Sequence, residues 1–207
     1  MTYIFDFDGT LVDSMPAYAK VLVRILDEND VTYPKDVVKI ATPLGYKGTA
    51  EYLIGLGLKM SVKEFIQTAM RYITVDYAQN IPAKDFVREK LKKLKAEGHS
   101  LNVLTASPHF VLDVCLKRLG LYDLFDNVWS SDDFAYTKAE PQIYVEAAGR
   151  LGKKVEECYF ADDNINAITT AKKAGMQTIG VFDASSESFM EEMKQVAHRY
   201  ILNFDEL

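Results

Sequence analysis

The sequence predicts an α/β fold in which a parallel sheet is interrupted, after its first strand, by a helical insert. The chain opens with the apolar run Tyr3–Phe5, which is typical of a buried strand. From residue 81 onward, helical segments alternate with short apolar strands, and this pattern indicates a parallel sheet with crossover helices. Between these regions, residues 15–80 have the apolar spacing of helices alone. We therefore expect a Rossmann-like core with a second, helical domain inserted into it.

The insert is predicted to consist of helices joined by a turn-rich stretch. Apolar residues recur three and four positions apart over Tyr18–Leu26 and again over Phe65–Ile73, and Ser61 is a suitable cap for the later helix. Between them, Thr42–Gly48 contains a proline and two glycines, so we expect a loop there. The predicted domain ranges are 15–81 for the insert, and 1–14 together with 82–207 for the core.

The rest of the core is predicted as an alternating series of helices and strands with a helical tail. Glycines after the apolar helical patterns mark expected helix ends at Gly98, Gly120 and Gly175. The predicted helices span 85–96, 109–120, 142–151 and 165–174. The predicted strands span 101–104, 127–129, 158–161 and 178–182. An amphipathic helix at 187–196 and an apolar stretch at 200–202 follow.

Composition restricts the classes of function and partner. With 207 residues, of which 48% are hydrophobic, the chain is long enough for one substantial domain and a smaller insert. The net charge of −6 argues against broad binding to nucleic acids or anionic membranes. No stretch approaches the roughly 20 apolar residues of a membrane span, and no basic segment followed by a long apolar one opens the chain. Cys115 and Cys158 lack the spacing of metal ligands, so we expect buried free thiols in a reducing cytoplasm.

Two aspartates after the first strand are the most informative feature of the sequence. Asp6 and Asp8 emerge where the strand ends, and Gly9 allows the backbone to turn sharply there. Open α/β sheets bind ligands at this carboxyl edge. Neighbouring carboxylates repel each other, so both stay ionised only if a cation neutralises them. The pattern therefore predicts a metal ion and a nucleophile, and its alternative is a solvated aspartate pair that caps a turn.

The sequence DFDGTLVDS at residues 6–14 resembles the first motif of the haloacid dehalogenase (HAD) superfamily, and the resemblance extends along nearly the whole chain. It implies that Asp6 is the nucleophile that forms an aspartyl-phosphate, and that Asp8 is the general acid and base. It also implies that the helical insert is a C1 cap, which closes over the active site. The expected hinges of this cap lie at 13–16 and 79–83.

A second stretch resembles the second motif of the superfamily. The predicted strand 101–104 is followed by Thr105, Ala106 and Ser107. The resemblance implies that the Thr105 hydroxyl and the Ala106 N–H bind the phosphoryl group, and we expect Gly9 and Ser107 among the substrate-binding residues as well. The same sequence is also typical of a helix N-terminus, so the alternative for Ser107 is a helix-capping role.

Two further stretches resemble the third and fourth motifs. Lys138 lies in TKAEPQIY, where the resemblance implies a lysine that neutralises the nucleophile and the substrate phosphate together. Asp162 and Asp163 lie in FADDNINA, directly after a predicted strand. The resemblance implies a Mg²⁺ ion held by Asp6, Asp162 and the backbone carbonyl of Asp8. Asp163 takes the position of the usual serine, and we expect it among the metal-binding residues too.

In the insert, Tyr46 and Lys47 lie in LGYKG, which resembles the short loop through which C1-capped relatives contact the leaving group of the substrate. The resemblance implies that Lys47 holds a second anionic group, and that Tyr46 packs on a sugar or excludes water. The alternative is an exposed turn with an ordinary lysine. His109, just beyond the second motif, is a further candidate for lining the cleft.

In the light of this resemblance, the four motifs predict a magnesium-dependent phosphomonoesterase that acts on a small phosphorylated metabolite. Asp8 argues against a haloacid dehalogenase proper, which lacks an acid/base aspartate at this position. The main alternative is a β-phosphoglucomutase-like mutase, which passes the phosphoryl group to a sugar rather than to water. A phosphonatase, with Lys47 in a suggestive place, and a non-catalytic phosphometabolite-binding module are further alternatives. The expected partner is a small phosphate ester, without nucleic acid or membrane, and the expected assembly is a monomer or homodimer.

Overall fold

The structure, a computed structural model, describes residues 1–41 and 44–207, so Thr42 and Pro43 of the predicted loop lie outside the described residues. The chain divides into two compact units. The first contains Met1–Asp13 and Pro82–Leu207, and the second contains Ser14–Ile81. The first unit is an α/β unit, whereas the second contains helices.

Within the described residues, six strands form a parallel sheet in the first unit. The strands are β1 (Thr2–Phe5), β2 (Ser100–Thr105), β3 (Asn127–Ser130), β4 (Cys158–Asp162), β5 (Gln177–Val181) and β6 (Arg199–Ile201). Their order is β3-β2-β1-β4-β5-β6, and neighbouring strands are parallel. In a sheet of this order the winding direction reverses between β1 and β4, and ligands bind outside the carboxyl ends of these strands. The predicted Rossmann-like core is confirmed.

The helices of the second unit are α1 (Met15–Glu28), α2 (Val37–Ala41), α3 (Gly45–Gly55) and α4 (Val62–Gln79). The apolar spacing of α1 and α4 buries one side of each helix, including Ile25 on α1 and Ile73 on α4. The hydroxyl oxygens of Tyr18 and Tyr77 lie 2.9 Å apart, so a hydrogen bond also joins these two helices. Over the described residues, no helix combines the length and the apolar character needed to cross a membrane.

Helices of the first unit connect the strands and cover the sheet. They are α5 (Val87–Ala96), α6 (His109–Arg118), α7 (Pro141–Arg150), α8 (Ile165–Ala174) and α9 (Met190–Val196). Ile4 of β1 and Phe160 of β4 share a buried apolar cluster with Tyr144 of α7 and Ile168 of α8. The Tyr144 and Phe160 rings pack edge to face, with centroids 5.0 Å apart. This packing holds β1 beside β4 and fixes the position of their carboxyl ends.

Helix α3 corrects the predicted loop at Thr42–Gly48. Gly45–Gly48 form the first turn of this helix rather than a loop. A Cβ atom at Gly48 would lie 2.9 Å from the Cβ of Leu44, so the glycine allows Leu44 to pack against the helix. Helix α3 buries Ala50 and Leu53 completely, and this packing overrides the weak intrinsic helix propensity of the two glycines.

The start of α5 and the tail also differ from the predictions. Helix α5 begins at Val87 rather than at residue 85, because Phe86 has a φ angle of 63° and lies outside the right-handed helical region. In the tail, 184–189 form a 3₁₀ helix, and α9 begins only at Met190. The apolar stretch at 200–202 belongs in part to strand β6, which pairs with β5. A strand of three residues is too short for its sequence to carry a recognisable alternation.

Both cysteines are free and fully buried, as the sequence predicts. Burial raises the pKa of the Cys115 thiol to about 11, and it raises the pKa of Cys158 as well. The thiolate form of either side chain is therefore disfavoured in the folded chain.

The capping box of α4 is a source of stability that substitution can measure. The Glu64 N–H donates a hydrogen bond to Ser61 Oγ over 3.2 Å, and the Ser61 N–H donates one to the Glu64 carboxylate over 2.7 Å. Ser61→Ala removes the acceptor of the first bond, and we expect it to lower the free energy of unfolding of the second unit by about 1 kcal/mol. Urea unfolding followed by circular dichroism measures this change. The control Lys59→Ala, at an exposed position, should stay within about 0.5 kcal/mol of the wild type; equal stability of Ser61→Ala and wild type would contradict the capping role.

Candidate active site

Two of the acidic residues singled out in the sequence lie at the carboxyl ends of β1 and β4. Asp6 follows β1 directly, and Asp162 is the last residue of β4. Phe5 pairs with Ala161 in the parallel register, and the Asp6 N–H donates a hydrogen bond to the Ala161 carbonyl over 2.9 Å. This register sets Asp6 and Asp162 side by side, at the point where sheets of this order bind ligands.

Asp6, Asp162 and Asp163 form a buried acidic cluster. Their exposed fractions are 5%, 0% and 9%. Each contributes a carboxylate oxygen, and these oxygens lie within 4.8 Å of one another. Buried carboxylates at such distances repel each other unless positive charge lies between them. Carboxylate oxygens are the ligands that hard divalent cations such as Mg²⁺ and Ca²⁺ prefer, so this donor set fits a metal ion.

The ammonium of Lys138 bridges two of these carboxylates. Lys138 Nζ donates a hydrogen bond to Asp6 Oδ1 over 2.5 Å and forms an ion pair with Asp162 Oδ2 at 2.7 Å. Burial alone would lower the pKa of Lys138, but the charges of Asp162 and Asp6 outweigh burial and raise the pKa above its ordinary value. Lys138 is therefore a fixed cation within the acidic cluster.

Helix α7 positions the backbone that carries this lysine. The Tyr144 hydroxyl donates a hydrogen bond to the Lys138 carbonyl over 2.9 Å, and it lies 3.3 Å from the Ala167 carbonyl oxygen. The Thr137 N–H donates to the Glu140 carboxylate over 2.9 Å, directly before the helix. Both ends of the TKAEPQIY motif are thus tied down, and Lys138 points from the start of α7 toward β1 and β4.

The two aspartates at the end of β4, Asp162 and Asp163, have raised pKa values. Burial raises the pKa of Asp162 to about 7; the charge of Lys138 acts in the opposite direction, and that of Asp6 adds to the increase. Burial also raises the pKa of Asp163 well above its ordinary value, and the charge of Asp162 contributes further. Ionising all three carboxyl groups would leave more negative charge than Lys138 neutralises, and a bound cation would favour that ionised form, which is the electrostatic setting of a cation site.

Asp163 also packs against the turn that follows β1. Gly9 has a φ angle of 72°, and a Cβ atom at this residue would lie 2.7 Å from Asp163 Oδ2. Glycine is therefore required both for the backbone conformation and for the close carboxylate. Thr10 Oγ1 donates a hydrogen bond to Asp163 Oδ1 over 3.2 Å and accepts one from the Asp163 N–H over 3.1 Å. Sequence reasoning gave Thr10 no role, although its place inside the DGTL sequence was an available signal.

The side chain of Asp8 contacts the segment after β2. Ser107 Oγ donates a hydrogen bond to Asp8 Oδ2, and Asp8 is half-buried. Helix α6 begins at His109, with Pro108 at its cap position. The alternative in which Ser107 only caps this helix is therefore wrong, because its hydroxyl is bound to Asp8 instead.

Thr105 ends β2, and Ala106 follows it, at the same edge of the sheet as Asp6. Thr105 is the last residue of the strand and is buried, and its hydroxyl oxygen accepts a hydrogen bond from the Ser107 N–H over 3.1 Å. Ala106 is exposed. The structure thus places both residues at the edge that the sequence indicates, and their binding of a substrate stays a prediction.

Tyr46 and Lys47 lie in the second unit, in the first turn of α3. They are therefore not in the loop that the sequence predicts. Lys47 is exposed, and its ammonium lies 3.9 Å from the carboxylate of Glu51, one turn further along the helix. The Tyr46 ring packs edge to face against Tyr18, with centroids 5.9 Å apart. A role for either residue toward a substrate stays a prediction.

Comparison with known proteins identifies the family. A sequence model of haloacid dehalogenase-like hydrolases matches residues 1–175. This chain belongs to that family. Among its relatives, a phosphoglycolate phosphatase of Colwellia psychrerythraea is 31% identical over 187 residues, which cover 86% of this chain and 82% of that protein. Hexitol phosphatase B of Escherichia coli is 26% identical over 192 residues, with coverage of 86% and 82%.

A solved structure agrees with this assignment at the level of the fold. The HAD hydrolase of family IA from Entamoeba histolytica is similar with a TM-score of 0.83, at 22% sequence identity. The match covers 100% of this chain and 94% of that one. The α/β core with its helical insert is thus an arrangement that occurs in this family.

In this HAD hydrolase, His109 joins the start of α6 to the segment after β3. Its Nδ1 lies 3.0 Å from Asp113 Oδ1, and its Nε2 lies 2.8 Å from Asp133 Oδ2. The hydrogen bonds with Asp113 and Asp133 raise the pKa of His109 above its ordinary value. Because both ring nitrogens face carboxylates, the protonated imidazole is the form that satisfies both contacts.

This pKa shift predicts a pH-dependent contribution to stability. The folded-state pKa exceeds the unfolded value of about 6.5, so the stabilisation is present below that pH and is lost as the pH rises through the folded-state pKa. The side chain is 41% exposed, so we expect less than about 1 kcal/mol. Urea unfolding of wild type and His109→Gln should differ more at about pH 5.5 than at about pH 9. A difference that is independent of pH, or that grows with pH, would contradict the ion-pair role.

Proposed function

We propose that this chain is a magnesium-dependent phosphomonoesterase that hydrolyses a small phosphorylated metabolite through an aspartyl-phosphate intermediate. The observation that carries the proposal is the contact of Lys138 with both Asp6 and Asp162 at the carboxyl ends of β1 and β4. A carboxylate suited to act as a nucleophile, a fixed cation and an acidic cluster suited to a metal ion thus lie together at one edge of the sheet. Phosphoryl transfer needs these components, because the attacking carboxylate and the phosphate are both anionic.

Asp6 is the nucleophile in this proposal. One of its carboxylate oxygens attacks phosphorus, the bond from phosphorus to the leaving oxygen breaks, and the phosphoryl group is transferred to Asp6. Lys138 reduces the repulsion between the attacking carboxylate and the phosphate oxygens, since its ammonium already contacts Asp6. Water then hydrolyses the aspartyl-phosphate and regenerates the free carboxylate.

Asp8 is the general acid and base. It donates a proton to the leaving oxygen in the first step and accepts one from water in the second. Two observations support this role: Asp8 is only half-buried, so a substrate can approach it, and Ser107 fixes one of its carboxylate oxygens. In this role, the carboxylate oxygen that Ser107 does not bind carries the proton.

Mg²⁺ would be held by Asp6, Asp162 and Asp163, together with the backbone carbonyl of Asp8. When bound, it supplies positive charge that lowers the repulsion between Asp6 and the substrate and stabilises charge on the phosphoryl oxygens. The buried, closely spaced carboxylates support such a site. Thr105, the Ala106 N–H and Lys138 bind the phosphoryl group itself. The expected role of Gly9 in substrate binding is not retained, because its N–H already donates to the Val12 carbonyl and its carbonyl already accepts from Lys84.

The second unit acts as a C1 cap that recognises the part of the substrate beyond the phosphate. In this proposal residues 1–14 and 82–207 are the core and residues 15–81 the cap, and Tyr46 and Lys47 contact the leaving group. The names of the relatives favour a small substrate, because they refer to phosphoglycolate and to hexitol phosphates. We therefore place the substrate among small phosphate monoesters.

Binding of Mg²⁺ can be tested without turnover. A ligand at one hundred times its Kd stabilises the folded state by about 2.7 kcal/mol, so Mg²⁺ in excess over EDTA should raise the melting temperature by several degrees. Asp162→Asn removes a ligand and should lose most of this increase. The control Asp123→Asn, at an exposed position outside the cluster, should keep it. Equal increases in all three proteins would place the cation elsewhere.

Release of inorganic phosphate tests the reaction itself. A panel of phosphoglycolate, hexitol and sugar phosphates, nucleoside monophosphates and pyrophosphate should reveal magnesium-dependent hydrolysis of at least one compound. Asp6→Asn should lower kcat by about 10³-fold or more, because the nucleophile is lost, whereas Asp123→Asn should retain wild-type activity. Near-normal turnover by Asp6→Asn would refute the mechanism. Interconversion of glucose phosphates without phosphate release would favour a mutase instead.

A further inference from the structure

Lys84 contacts the turn that carries Asp8, and its ammonium makes three interactions. Its Nζ donates a hydrogen bond to the Gly9 carbonyl over 2.7 Å and another to the Phe182 carbonyl. It also forms an ion pair with Asp183 Oδ2 at 3.0 Å. The Lys84 side chain is 18% exposed and that of Asp183 only 4%. A largely buried cation therefore joins the turn after β1 to the loop after β5.

The backbone of Lys84 strengthens this connection. The Lys84 N–H donates a hydrogen bond to the Leu11 carbonyl over 3.0 Å, and the Gly9 N–H donates one to the Val12 carbonyl over 3.0 Å. The turn after β1 thus has an internal hydrogen bond of its own. Lys84 binds this turn at two points: its side chain binds the Gly9 carbonyl, and its backbone N–H binds the Leu11 carbonyl. Lys84 itself lies outside the four HAD-like motifs, whereas Gly9 and Leu11 belong to the first of them.

The positive charge of Lys84 lies near acidic side chains on both sides of the turn. Asp183 is its direct partner, and Asp163 packs against Gly9, whose carbonyl Lys84 binds. Asp163 takes the position of the usual serine of the fourth motif, so this chain buries one more carboxylate here. Lys84 therefore offsets part of the charge that the extra aspartate introduces.

We propose that Lys84 is a positioning residue, which fixes the turn after β1 so that Asp8 presents its carboxyl group to the leaving oxygen of the substrate. The inference rests on the proposed function, in which Asp8 donates that proton. Ser107 holds the Asp8 carboxylate, and Lys84 holds the carbonyl of the next residue, Gly9. The two contacts together fix both the backbone and the side chain of the acid.

This role has a signature that a purely structural role lacks. An alkoxide leaves phosphorus only with a proton, whereas p-nitrophenolate leaves readily without one. The ratio kcat/KM reports the steps up to transfer of the phosphoryl group to Asp6. A misplaced Asp8 therefore lowers kcat/KM for an alkyl phosphate much more than for p-nitrophenyl phosphate.

The experiment compares two Lys84 variants with Asp183→Asn, which removes only the ion pair, and with one control, Lys90→Met. Lys84→Met removes the charge at similar volume, and the double variant Lys84→Met/Asp183→Asn also avoids leaving a buried carboxylate unpaired. Asp183→Asn alone keeps the Lys84 bond to Gly9. Lys90→Met removes a half-buried lysine whose ammonium also donates to a backbone carbonyl, that of Asp205, over 2.9 Å. The melting temperature of each protein reports whether it is folded.

We expect kcat/KM for the best alkyl phosphate to fall about 100-fold in Lys84→Met and in the double variant. For p-nitrophenyl phosphate the loss should stay below about 5-fold, because the acid is not required for that leaving group. Asp183→Asn should show the same selectivity with a smaller loss, and Lys90→Met should match the wild type with both esters. If Lys84→Met does not fold, the double variant provides the comparison.

Two results would overturn the inference. Equal losses with both esters, or no loss with either, would leave Lys84 with a structural role only, while an active wild type would keep the proposed function intact. A wild type that hydrolyses neither these esters nor any compound of the phosphate-release panel would overturn the proposed function and this inference with it. The behaviour of the wild type thus separates the two failures.

Discussion

Carboxylates buried at the ends of neighbouring strands repel one another, and the ammonium of Lys138 between Asp6 and Asp162 is what allows them to share this edge. The remaining elements of the first unit support that arrangement. The parallel register of β1 and β4 sets the two aspartates side by side, and Tyr144 on α7 holds the backbone from which Lys138 extends. One ammonium cannot neutralise three ionised carboxylates, so protons or a further cation must compensate the remaining charge.

The main features of the fold and of this site could be predicted from sequence because they depend on local patterns. Apolar runs of strand length mark β1 and β4, and polar residues that follow such runs emerge at one edge of any parallel sheet. Asp6 and Asp162 could therefore be placed together although 155 residues separate them along the chain. The prediction of a loop before Gly48 was wrong, because Gly45–Gly48 form the first turn of α3. Glycine favours a turn only where packing does not stabilise a helix.

Other parts of the site could not be predicted, because they are contacts between distant side chains without a pattern of their own. The hydrogen bond from Ser107 to Asp8 and the paired bonds of Thr10 with Asp163 depend on how the strand ends meet in space. Lys84 has the least sequence signal of all, since it belongs to no motif and precedes an ordinary amphipathic helix. Strand β6 also lacks a sequence signal, because its three residues form a strand through hydrogen bonds to the edge of β5.

Because both cysteines are buried, their reaction with thiol reagents can report local unfolding of the first unit. Thiol reagents react with the thiolate, and both sulfur atoms are enclosed and resist ionisation while the core is closed. Cys115 lies on α6 and Cys158 begins β4, so they sample two different parts of the first unit. The rate at which each is labelled therefore measures how often its part of the core unfolds, and a difference between the two rates would reveal whether the core opens as a single unit.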